Sequence, residues 1–211
     1  MNENSAPDKL QDRTRRRASR TREKLLDAAL SAFNEIGIDL TSIQDITERA
    51  DVGKGTFYRH FEDKPALLRT LMDRAVAHLV ERIKQATPTK GATLEAVLGA
   101  LLDTHMEFFV QHGQEYLLLF QGPVMLRMKR KLAEGLEQPF AFYLTALEQQ
   151  LAPALTQPTD AVRLRRLAVA VAGFTLGFFA MAMIGMQPEE IAASAQALKR
   201  AFLAGAPGLL A

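Results

Sequence analysis

Between Thr41 and Lys64 the chain has room for two short helices and one tight break, and neither helix is long enough to stand alone. Isolated helices of fewer than about 12 residues are marginal in water, so each of these must be held by apolar contacts. Ile43, Ile46 and Ala50 recur at helical spacing and turn one face of the first helix inward. Thr41 followed by Gln44 has the form of a capping box and sets the expected start of that helix. Asp51, Val52 and Gly53 supply the break: Asp tolerates a left-handed backbone, Val52 can plug the space between the helices, and Gly53 suits the next N-cap. The second helix is expected over Lys54 to Phe61, held by Phe57 and Phe61 four residues apart. That leaves Lys54, Thr56, Tyr58, Arg59 and His60 on or near the outward face. A small, donor-rich, aromatic and cationic face of this kind suits a helix laid in a DNA major groove.

The same residues carry a family resemblance. Thr41-Ser42-Ile43 with Ile46 and Ala50, the run from Val52 to Phe61, and Lys64-Pro65-Ala66-Leu67-Leu68 resemble the TetR family of bacterial regulators. The resemblance runs without gaps from Thr21 to Leu68. Three positions depart from the usual pattern: Thr47 stands where the family mostly has Ala, Asp51 where it mostly has Gly, and Gly53 where it often has Ser. The resemblance implies a three-helix, helix-turn-helix DNA-binding domain, a helical ligand pocket beyond it, and a homodimer reading a palindromic operator as a repressor. It places Gln44, Lys54, Gly55 and Thr56 near base edges, with Ser42, Tyr58, His60 and Lys64 on phosphates and Arg59 on the same outward face. Base contacts specify sequence and phosphate contacts position the domain.

Outside this stretch no run of alternating residues suggests a strand, and Gly and Pro fall as punctuation between segments of helical period. The chain therefore reads as all-α. Residues 1–20 are polar and become basic through Lys9, Arg13, Arg15, Arg16, Arg17 and Arg20; they read as a flexible arm, either solvated or laid on DNA phosphates. Residues 21–67 form the DNA-binding domain, and Leu25, Leu26, Ala29, Phe33 and Ile36 mark the inward stripe of its first helix, closed by Gly37. Residues 68–211 form the effector-binding and dimerisation part, opened by a long helix expected to end before Pro88. Net charge is only +2, so affinity for nucleic acid must come from a local basic patch.

The absence of cysteine removes disulfides, thiolate metal sites and cysteine nucleophiles. No nucleophile-elbow, phosphate-loop or zinc-helix motif is present, so the chain is expected to be no enzyme and to carry no cofactor. His105 and His112 lie seven apart, about 10 Å along a helix, which is too far for both to bind one ion, and no metal is expected. The region around them is rich in aromatic and Met residues, which suits either a solid core or a pocket that reshapes around an apolar or amphipathic effector. The expected ligand-binding residues are His105, Phe108, Phe109, Tyr116, Phe120, Gln121, Met125, Phe140 and Tyr143.

Leu167 to Met186 is twenty residues without a charge and contains Gly173-x-x-x-Gly177. By length it could span a bilayer, but small residues also let two soluble helices approach closely. With the following segment, sticky at Ile191, Ala195, Leu198 and Phe202, it suits a four-helix dimer interface over residues 160–205. No apolar signal sequence opens the chain, and the expectation is a cytoplasmic protein without a membrane anchor. The two other readings are a regulator anchored through residues 167–186 and a helical enzyme.

Overall fold

The computed structural model describes residues 6–88, 91–119, 137–155 and 160–209. Among them every regular element is a helix. The chain divides into two units, Met1–Leu71 and Met72–Ala211. The boundary expected at residue 67 moves to Leu71, because the first two turns of a long helix bury Leu67, Leu68 and Leu71 and stay with the unit that precedes them.

The first unit holds α1 (Ala6–Ile36), α2 (Ile43–Arg49), α3 (Lys54–His60) and the start of α4 (Lys64–Ala86). The arm expected over residues 1–20 is corrected from Ala6 onward: this stretch continues α1, though residues 11–20 are all exposed. After Pro7, which the first turn of a helix tolerates, nothing in the segment breaks the helix, and Asp12 pairs with Arg16 one turn on at 2.9 Å. Leu25, Leu26, Ala29 and Phe33 are buried as expected. Ile36 is 39% exposed, because α1 stops there at Gly37 (φ +88°) and Ile38 takes the inward place instead.

The second unit continues α4 and adds α5 (Leu94–Gln111), a helical stretch over 113–119, α6 (Glu137–Leu151), α7 (Ala161–Gly185) and α8 (Pro188–Gly205). Thr93 caps α5, accepting from the Ala96 amide at 3.2 Å, and His112 closes it. Asp160 caps α7, and Gln187 with Glu190 forms a capping box on α8. α7 packs against α5, α6 and α8, so it is the central helix of this unit. It is long and apolar enough to cross a membrane, a test of length and composition that the core helix of a soluble protein also passes, and half of its most apolar window is buried inside the unit.

Candidate nucleic-acid interface and the helical core of the second unit

The turn between α2 and α3 follows its local chemistry. Asp51 sits in the left-handed region at φ 52°, Gly53 is the N-cap of α3, and the Thr56 amide donates to the Gly53 carbonyl at 2.8 Å. Phe57 is fully buried and Phe61 nearly so, with ring centroids 5.8 Å apart. Burying each is worth about 2–3 kcal/mol, which is what holds a seven-residue helix in place. Lys54, Gly55, Tyr58 and Arg59 then face solvent, with Thr56 and His60 half-buried at the edges of the face. Arg59 donates to the Thr56 hydroxyl at 2.9 Å, and Gln44 on α2 donates to Glu48 at 2.8 Å. Burial first, and then the charges of Arg59 and Arg22, hold the His60 imidazole below its ordinary pKa. Arg22 lies over the Phe61 ring at 4.9 Å. An open groove of about 690 Å³ runs between the exposed half of α1 and this face, lined by Thr14, Arg17 and Thr21 on one side and Thr56, Arg59 and His60 on the other.

Two expectations for this surface are corrected. The capping box of α2 is Ser42 with Asp45, not Thr41 with Gln44: the Asp45 amide donates to Ser42 Oγ at 3.1 Å and the Ser42 amide to Asp45 Oδ2 at 2.7 Å. Thr41 is buried instead, donating to the Gly37 carbonyl at 2.7 Å. The Ser42 hydroxyl, expected on a phosphate, therefore belongs to the cap. Lys64, also expected on a phosphate, turns its ammonium back into the α1–α2 loop, donating to the carbonyls of Ile38 (2.8 Å), Thr41 (2.7 Å) and Asp39 (3.4 Å). All three of its donors are thereby engaged. Lys64→Ala is expected to destabilise the first unit by about 2 kcal/mol, by leaving loop carbonyls without their charged donor. Denaturant unfolding checks this, and a variant as stable as the parent would return Lys64 to the outer surface.

In the second unit His105 and Tyr143 are buried, and they satisfy each other. His105 Nδ1 lies 2.6 Å from the Leu101 carbonyl and Nε2 lies 2.6 Å from Tyr143 Oη. A carbonyl only accepts, so Nδ1 carries the proton and Nε2 accepts from the tyrosine. The expected pocket wall at His105 is in this structure a closed pair inside the core. Phe108, Phe109 and Tyr116 pack together, and Phe109 stacks on Phe179 of α7 at 4.6 Å. Sequence reasoning missed Phe179 because it sits in the stretch read as dimer interface. The Tyr116 hydroxyl is buried close to Thr175 of α7. Phe140 is half-buried on α6; Phe120, Gln121 and Met125 lie outside the described residues. A cavity beside Thr175, Phe178 and Phe179 has a volume of about 10 Å³, room for one water at most.

Residues 25–71 match the family described as bacterial regulatory proteins, tetR family. The HTH-type transcriptional regulator YvdT of Bacillus subtilis is 30% identical over 122 residues, 58% of this chain and 62% of that protein. BetI of Yersinia pestis, also an HTH-type transcriptional regulator, is 39% identical over 64 residues, 30% of this chain and 32% of that one. Each match thus spans less than two thirds of the relative's own length. Among solved structures, the transcriptional regulator FadR from Bacillus subtilis in complex with stearoyl-CoA shares the fold. Its TM-score is 0.70 at 17% identity, over 86% of this chain and 96% of that one.

Proposed function

We propose that the chain is a transcriptional regulator of the TetR family, a ligand-responsive repressor that binds a palindromic operator as a homodimer. The observation that carries this reading is α3 itself, a helix pinned by Phe57 that leaves Lys54, Gly55, Tyr58 and Arg59 outward beside Gln44 of α2. Gln44, Lys54, Gly55 and Thr56 read base edges, and Gly55 lets the helix backbone approach the groove. Tyr58, Arg59 and His60 meet phosphates, joined by the arginines of the exposed half of α1. One short helix makes few base contacts, so two copies are needed for useful affinity. The second copy docks on α7 and α8, where Val169, Gly173, Gly177, Met181 and Ile184 repeat along one face at steps of four and three.

The effector is apolar or amphipathic. Phe108, Phe109, Tyr116 and Phe179 supply an apolar lining, and the buried Tyr116 hydroxyl offers a donor for one polar group. Stearoyl-CoA, with which the FadR structure was solved, is a molecule of that type. Entry beside Phe179 moves these aromatic side chains, because the described cavity there is far too small, and a ligand that favours one packing over another is what shifts a two-state equilibrium. The test is binding of the purified full chain to palindromic DNA flanking its own gene. Gln44→Ala and Lys54→Ala are each expected to relax the preferred base at one position at a cost of about 1–3 kcal/mol. Stearoyl-CoA is expected to release the DNA. Variants that keep the parental preference at every operator position would remove the base-reading assignment.

A further inference from the structure

His78 on α4, His112 at the end of α5 and Glu115 in the following helical stretch bring their ligand atoms within 4.8 Å of one another. We propose that these three side chains form a binding site for a divalent transition-metal ion of the zinc class. His78 Nδ1 and Glu115 Oε2 are 3.1 Å apart. Two ligands on one tetrahedral ion with bonds near 2.0–2.1 Å stand about 3.3 Å apart, so this pair already has the required spacing. The His78 and His112 rings are 4.3 Å apart, which puts the third ligand beside the other two. Both rings also touch Phe108, at 5.1 and 5.0 Å, and Phe108 is fully buried, so the imidazoles rest on a fixed wall. Held ligands bind more tightly than loose ones.

The chemistry distinguishes this cluster from an ordinary ion pair. A glutamate salt bridge needs one histidine, whereas here two imidazoles and one carboxylate converge from α4 and from the stretch that follows α5. Two neutral nitrogens and one carboxylate oxygen suit zinc, cobalt or nickel rather than calcium or magnesium, which prefer oxygen throughout. Three protein ligands leave a fourth position for water or an added ligand. His112 and Glu115 are three residues apart in sequence, but the third ligand comes from 34 positions before His112 and is invisible to any spacing rule. All three side chains are half-buried, so an ion can reach them from solvent.

The test uses the full chain without a polyhistidine tag, stripped with a chelator. Co²⁺ titration is expected to give one visible d–d absorption per chain with saturation at one equivalent, and Zn²⁺ to displace it. A hundredfold excess of Zn²⁺ over its Kd is expected to raise Tm by about 5 °C. His78→Ala and Glu115→Gln are each expected to lose at least about tenfold in metal affinity, since even ligand-supporting residues cost that much. Glu115→Gln keeps the side-chain shape, so its effect is read without a change of packing. A parent chain that takes up no Co²⁺ or Zn²⁺ at one equivalent, or variants that bind as the parent does, would overturn the site.

Discussion

Acidification from pH 6.5 to pH 4 is expected to remove about 3 kcal/mol from the stability of the second unit, through His105 alone. This imidazole is fully buried, and burial lowers its pKa from 6.5 to about 4, while its hydrogen bond to the Leu101 carbonyl acts the other way. The sign follows from proton counting. Between the two values the unfolded chain binds a proton at this histidine that the folded chain refuses, so stability rises with pH there. The full contribution is present above pH 6.5 and is lost as the pH falls toward 4. Protonation would also abolish the only acceptor that Nε2 offers to the Tyr143 hydroxyl at 2.6 Å. Urea unfolding at pH 7 and at pH 4.5 measures the loss. His105→Gln is expected to be less stable than the parent at pH 7 but to lack the step between the two conditions. An unchanged step in that variant would place the acid sensitivity elsewhere.

Replacing Gly177 with Leu is expected to turn the proposed dimer into a monomer or an aggregate. A Cβ built on Gly173 or Gly177 meets nothing within 4 Å among the described residues, so the side chain has room within a single chain. The same face exposes Met181 at 58% and Ile184 at 80%, an apolar stripe that one copy leaves to water. If a second copy covers it, the two backbones meet at the glycines and leucine has nowhere to go. Overpacking costs about 1–3 kcal/mol per site and symmetry doubles it, which raises the dimer dissociation constant about thirtyfold or more. Light scattering over a dilution series, with circular dichroism to establish that the helices persist, separates dissociation from unfolding. An unchanged dimer would show that Gly177 does not face the partner.

Much of the fold was legible because the signals that set it are local. Leu25, Leu26, Ala29 and Phe33 at helical spacing fixed the inward face of α1, and Gly37 marked an end that the structure keeps. The left-handed Asp51 and the N-cap at Gly53 follow from what those side chains allow the backbone, and so does the outward face of α3 once Phe57 points in. The flexible arm was misjudged for the opposite reason. A polar, basic segment carries no burial signal, yet its residues are good helix formers and extend a helix that the core has already nucleated.

The sequence by itself determined the helical class, the break between α2 and α3, and the chemical character of the face that α3 presents, all of which depend on neighbours a few positions away. Only the tertiary structure decided what the polar side chains do, since that depends on partners brought from far along the chain. Lys64 reaches carbonyls 23 to 26 residues back, and a basic residue expected on the outside becomes the clasp of a loop. His105 finds Tyr143 across 38 positions, and His78 finds Glu115 across 37. Periodicity can say that a residue faces inward, but a buried polar group needs a partner, and only packing chooses which one.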